Sequence, residues 1–126
     1  VLFSNGKKCH CGNSGCVEQY LSGPSLEEYY FNLTNKKAIV TDIAKNPPKQ
    51  WKDNFLNNFG MALANVINII DPEVIVVGGG VSKVNFLYSE GPEWIEKFTF
   101  SKNIKTPILK NKMGDSAGVF GAAFLQ

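Results

Sequence analysis

The chain has 126 residues, 44% of them hydrophobic and 19% charged, with a formal net charge of +2. That is enough apolar material for a core, which excludes a disordered tail. The basic side chains are all lysines and lie scattered, unlike the concentrated patch of a nucleic-acid binder, and no apolar run approaches the roughly 20 residues that span a bilayer.

The sequence opens at Val1-Leu2-Phe3 without an initiator methionine and is expected to be part of a longer chain. Residues 1–13 read as an extended piece and a loop. A short helix is predicted from Gly15 to Leu21, stopped by Ser22-Gly23-Pro24. Ser25 then sits before Leu26-Glu27-Glu28, a helix start with acids near its positive end, and that helix fades near Asn35. Another short helix is expected over 37–45, broken by Asn46-Pro47-Pro48. The strongest helical pattern covers 50–70. Trp51, Phe55, Phe59, Leu63, Val66, Ile67 and Ile70 recur at steps of three and four and draw one apolar face. Asn57, Asn58, Asn65 and Asn68 fall on other faces, and Asp71-Pro72 ends the pattern. Val74-Ile75-Val76-Val77 has no polar alternation and reads as a strand buried on both faces of a parallel sheet. A helix over 84–98, interrupted at Gly91-Pro92, follows the glycines 78–80. Pro107-Ile108-Leu109 reads as a second strand, Gly114-Asp115-Ser116 as a loop and cap, and 117–125 as a final helix. The alternation of helix and strand is an α/β pattern.

The three cysteines fall within eight residues, Cys9-His10-Cys11-Gly12-Asn13-Ser14-Gly15-Cys16. An odd count argues against a secreted disulfide framework and for a reduced, cytosolic setting with metal-bound thiolates. In an extended segment side chains two apart point the same way, so Cys9 and Cys11 can face one ion while His10 points away. Gly12 and Gly15 permit the reversal that returns Cys16. Thiolates at about 2.3 Å would fill three corners of a tetrahedral zinc site. A fourth ligand from upstream of Val1 completes it most simply. The competing reading is three thiols with no metal. Glu18, taken alone, reads as a solvated or capping residue, and His10 as a surface residue.

Val77-Gly78-Gly79-Gly80-Val81-Ser82 runs a strand into glycines. Glycines there let a ligand approach the backbone, at the strand end where open α/β sheets hold ligands. The spacing is neither the dinucleotide fingerprint nor a Walker loop. A purely structural tight turn is the alternative.

Cys-x-Cys-Gly-x-x-Gly-Cys-x-Glu, matched at Cys9, Cys11, Gly12, Gly15, Cys16 and Glu18 and continued by Gln19-Tyr20-Leu21-Ser22-Gly23, resembles the hallmark of the ROK family. That family comprises bacterial sugar kinases and related sugar-responsive repressors. The resemblance implies Zn2+ held by Cys9, Cys11 and Cys16 with a histidine from an upstream Gly-His element, and Glu18 as hydrogen-bond acceptor for a sugar hydroxyl. Asp71-Pro72-Glu73 through Gly80 resembles the adenosine-side motif of ROK kinases, which implies backbone contact with the nucleotide through Gly78, Gly79 and Gly80. The stretch from Lys112 to Leu125 is also similar, although Met113 and Phe120 stand where a basic or polar residue is expected. From Gly80 to Leu125 the wording is closest to fructokinase-type members, with N-acetylhexosamine kinases next.

The fold implied is α/β, part of an actin/hexokinase-like (ribonuclease H-like) nucleotide-binding domain with a zinc-binding loop. Its expected divisions are the zinc and sugar loop over 1–23, a helical segment over 24–70 and a nucleotide-side α/β segment over 71–126. The implied activity is cytoplasmic phosphorylation of a hexose by ATP with Mg2+, by a parent protein that is commonly a homodimer. Partners are hexose and ATP, with no membrane, and no nucleic acid outside the repressor branch. The family's catalytic aspartate lies in its N-terminal part, and Asp42, Asp53, Asp71 and Asp115 do not sit in matching motifs. The 126 residues alone are therefore expected to be inactive. A ROK repressor with a sugar-sensing domain is the alternative, disfavoured by the intact triple glycine. A third reading is a zinc-stabilised interaction module without a ligand.

Overall fold

The computed structural model describes residues 1–112. The expected loop at 114–116 and helix over 117–125, with Met113, Asp115 and Phe120, lie outside the described residues. The cysteine loop leads into α1 (Glu18–Leu21), α2 (Gly23–Thr34), α3 (Val40–Ile43) and the long α4 (Lys49–Ile70). Strand β1 (Ile75–Val77), a 3-10 turn (Gly80–Lys83), α5 (Phe86–Ser89), α6 (Gly91–Glu96) and β2 (Ile108–Lys110) follow. β1 and β2 pair in parallel, with Ile75 opposite Ile108 and Val77 opposite Lys110. The two helices between them form the crossover that a parallel pair requires.

α1 stops at Leu21 as expected, but Ser22-Gly23-Pro24 is at once the start of α2, ahead of the start expected at Ser25. Ser22 Oγ accepts from the Ser25 N–H, and Pro24 occupies the first turn, where a missing N–H costs nothing. Ser25 is thus inside the helix, and its hydroxyl donates to the Glu18 carbonyl at 3.1 Å. The helix expected over 37–45 contracts to α3. Its first N–H, on Val40, donates to Glu27 Oε1 of α2 at 3.1 Å, so a neighbouring helix satisfies that donor. The helix expected over 84–98 is two short ones, because Gly91-Pro92 restarts the chain after Glu90.

α4 is the axis of the core. Trp51, Phe55, Leu56 and Phe59 are buried against Leu26, Val84, Leu87 and Ile95. Trp51 Nε1 donates to the Leu26 carbonyl at 2.8 Å, which ties α4 to α2. Gly60 lets α4 and α6 approach so closely that an added Cβ would lie 2.6 Å from the Trp94 carbonyl oxygen. Asn58, expected off the apolar face, is buried and donates to Asn54 Oδ1 at 3.1 Å. The far end of the expected apolar stripe is not buried: Ile70 is 68% exposed, and Asp71 ends the helix in the left-handed region at φ 49°. β1 likewise departs from the expectation of burial on both faces. Val76 is 58% exposed, because among the described residues only one face of the two-stranded sheet is covered.

Candidate functional site

Residues 9–12 form a hydrogen-bonded turn rather than the extended segment expected, with the Gly12 N–H donating to the Cys9 carbonyl at 3.0 Å. A bridge between Lys8 and Ser14 closes its base. Turn geometry, not strand alternation, therefore brings the cysteines together. Gly12 and Gly15 supply the left-handed conformations the reversal needs, at φ 88° and 72°. Gly15 also packs backbone on backbone: an added Cβ would lie 1.6 Å from the Phe3 carbonyl oxygen. The loop is anchored to the helices by the Lys7 N–H donating to Tyr20 Oη at 2.8 Å and by a Lys7–Glu28 ion pair at 3.0 Å.

The sulfurs of Cys9, Cys11 and Cys16 lie within 4.8 Å of one another. Cys11 Sγ is 3.5 Å from Cys16 Sγ, and Gln19 Nε2 donates to Cys9 Sγ at 3.7 Å. The backbone N–H of Asn13 and the neighbouring thiols lower the Cys11 pKa to about 7. The bond to Cys11 is the main cause that raises Cys16 to about 11. The Cys11 and Cys16 sulfurs are within hydrogen-bonding distance of each other, an arrangement that a thiophilic cation would replace. Three converging thiols on a fixed turn fit the donor set of a structural zinc site.

Glu18 opens α1 directly after Cys16-Val17, so the turn fixes its backbone. Its side chain is 59% exposed and lies 3.8 Å from His10 Nε2. His10 is exposed, as expected, but its ring turns toward Cys9 and Glu18 rather than away from them.

At the second turn, Gly79 has φ 73° and admits only glycine without strain. Added Cβ atoms at Gly79 and Gly80 would meet nothing within 4 Å, so the backbone there faces open space. Ser82 folds the turn back by donating from Oγ to the Gly79 carbonyl at 2.6 Å, and its own carbonyl accepts from Tyr88 Oη at 2.7 Å. Gly80 and Val81 border an open cavity of about 400 Å³ that is lined on its other side by Gly23, Pro24, Val40 and Thr41. A second groove is lined by Glu18, Ser22, Pro24 and Ser25. The first turn of α2 is therefore the wall between the Glu18 groove and the glycine-turn cavity. Pattern reading missed this role for Pro24 because it took the segment as a break; proline at a helix's first turn is the signal that could have found it. Asp42 and Asp53 are in ion pairs with Lys45 and Lys49, and Asp71 terminates α4.

The chain is 37% identical over 134 aligned residues to an N-acetyl-D-glucosamine kinase of Photobacterium profundum, an overlap covering 98% of this chain and 44% of that relative. It thus spans less than half the length of the relative it matches. A ROK family glucokinase of Streptomyces griseus, solved in complex with glucose and AMPPNP, superposes with a TM-score of 0.79 at 24% identity, over 98% of this chain and 48% of that one. A ROK family transcriptional regulator homologous to an E. coli protein superposes at 0.68 with 24% identity, over 86% and 32%. Both structural likenesses establish the fold that these proteins share. The family's own sequence model matches residues 1–126, from the cysteine turn through the glycine turn, and on that match the chain belongs to the ROK family.

Proposed function

We propose that this chain supplies the sugar-side turn and the adenosine-side loop of an ATP-dependent hexose kinase. The observation that carries the reading is the single helical turn, at Pro24, that walls both the Glu18 groove and the Gly80 cavity. A phosphoryl donor and an acceptor must be held in line and close together, and a shared wall keeps two sites in fixed register. Glu18 accepts a hydrogen bond from a sugar hydroxyl, a task suited to a carboxylate. The backbone at Gly78, Gly79 and Gly80 lies against the adenosine side of ATP, where the missing side chains leave room. Cys9, Cys11 and Cys16 would hold the structural Zn2+, which locks the turn that carries Glu18.

Residues 1–23, 24–70 and 71–126 divide accordingly into sugar loop, helical support and nucleotide side. None of Asp42, Asp53 or Asp71 is given the role of base, and the isolated 126 residues are expected not to phosphorylate sugar. The name carried by the Photobacterium relative makes N-acetyl-D-glucosamine the first acceptor to try, ahead of glucose and fructose. The fold is shared with a regulator as well, but the open glycine turn favours a nucleotide ligand and hence the kinase.

Coupled ADP-release assays on the intact protein test this. ATP turnover that depends on one of these sugars is expected. Glu18→Gln should lower kcat/KM for the sugar by roughly 10- to 100-fold, the loss of about one charged hydrogen bond, while leaving KM for ATP within a factor of two or so. Sugar binding without ATP turnover would support the repressor instead, and no binding of either would leave a zinc-stabilised module.

A further inference from the structure

A second set of metal-ligand types meets at the edge of the cysteine turn. His10 Nδ1 lies 3.8 Å from Cys9 Sγ, and His10 Nε2 lies 3.8 Å from Glu18 Oε2. A single ion takes only one of the two ring nitrogens, so the spacing that bears on a shared ion is that one donor atom from each of Cys9, His10 and Glu18 falls within 4.8 Å of the other two. Tetrahedral zinc with ordinary bond lengths has ligand-to-ligand edges of roughly 3.3–3.7 Å. The His10 and Glu18 side chains are 74% and 59% exposed, so their tips can move the short distance required.

The chemistry is that of a borderline-soft cation. Thiolate, imidazole and carboxylate are the three donor types that zinc takes from proteins. This set does not include Cys11 or Cys16, so His10 is no fourth ligand to the three thiols. Cys9 belongs to both sets, and a thiolate sulfur has lone pairs enough to bridge two ions. Charge favours a second ion too. Three thiolates around one divalent cation leave a net negative charge, and the Glu18 carboxylate adds another beside it. An exposed His–Glu pair at 3.8 Å contributes little to stability by itself, so the pairing is readily exchanged for a metal.

We propose that Cys9, His10 and Glu18 form a second divalent-cation site, for Zn2+ or a similar ion, and that filling it inhibits the protein by withdrawing Glu18 from the sugar. The inhibitory half rests on the sugar-contacting reading of Glu18. The metal half does not.

The test uses intact protein holding one zinc per chain, titrated with Zn2+ alone by calorimetry. Affinity for the accepted hexose is then measured before and after one added equivalent. Wild type should take up a second equivalent, and its sugar Kd should rise at least about tenfold, as loss of one charged hydrogen bond requires. His10→Gln should retain the first equivalent, fail to take the second at the same Zn2+ concentration, and show a sugar Kd indifferent to added zinc. No second equivalent in wild type, or equal uptake by His10→Gln, overturns the site. Uptake that leaves the sugar Kd unchanged overturns the inhibition. His10-dependent uptake by a protein that binds no hexose overturns the sugar reading of Glu18 and leaves the metal site standing.

Discussion

Gly15 carries more constraint than any side chain in the cysteine turn. Its φ of 72° disfavours a Cβ, and the space a Cβ would occupy is held by the Phe3 carbonyl. Gly15→Ala should therefore cost about 2 kcal/mol or more, from backbone strain plus overlap, and should lower zinc stoichiometry in the same preparation. Retention of full zinc content and an unchanged Tm would show that the turn does not depend on this contact. The thiols offer a second check at this scale. In metal-free protein Cys11, with its pKa lowered to about 7, is largely thiolate above neutrality, whereas Cys16, raised to about 11, stays protonated. Iodoacetamide at pH 8 should label Cys11 well ahead of Cys16, and the preference should fade as pH rises toward 11. Equal labelling of both at pH 8 would contradict the opposite shifts of the two thiols. The identity of these residues was legible in the sequence because spacing and glycines constrain a short turn. The position of His10 was not, because residues 9–12 turn instead of extending, and alternation then says nothing about where a ring points.

Helices explain which expectations survived at the next scale. α4 was read almost to the residue, since a long amphipathic period is stated many times over. Its buried face was read less well. Ile70 fits the period but is exposed, and Asn58 breaks it but is buried with Asn54 as partner. Period identifies a stripe, while burial depends on what packs against it. Two helix starts were misplaced for different reasons: Val40 finds its partner in Glu27 of another helix, far off in sequence, whereas Pro24 reads as a stop although it can also open a helix. Two substitutions test the packing of α4. Trp51→Phe keeps an aromatic ring but removes the indole N–H that ties α4 to the Leu26 carbonyl and leaves space where the larger ring stood, and should destabilise by about 1–3 kcal/mol in urea titrations. Gly60→Ala forces α4 from the Trp94 carbonyl and should cost a similar amount, about 1–3 kcal/mol, as overpacking does. A neutral result for both would show that α4 is not the axis of the core.

Several large apolar side chains among the described residues are exposed. Ile69, Ile70, Val76 and Leu109 are all at least half exposed or nearly so, at 83%, 68%, 58% and 49%. No helix among the described residues is long and apolar enough to cross a membrane. The two turns that carry the candidate site sit at opposite sides of one helix start, and that arrangement was not visible in either motif alone. Ser22 joins them. Its side chain caps α2 and bonds Ser25, whose hydroxyl reaches the carbonyl of Glu18. Pro24 lines both grooves, so a displacement of this one turn would reach both. Ser22→Ala should then raise the apparent KM for sugar and for ATP together, each by about three- to tenfold if the lost cap costs about 1 kcal/mol in each complex. A rise confined to one substrate would mean that the two sites are tuned separately. If they move together, displacing this one helix start loosens both grooves at once, whereas loss of a single contact such as that of Glu18 loosens only its own.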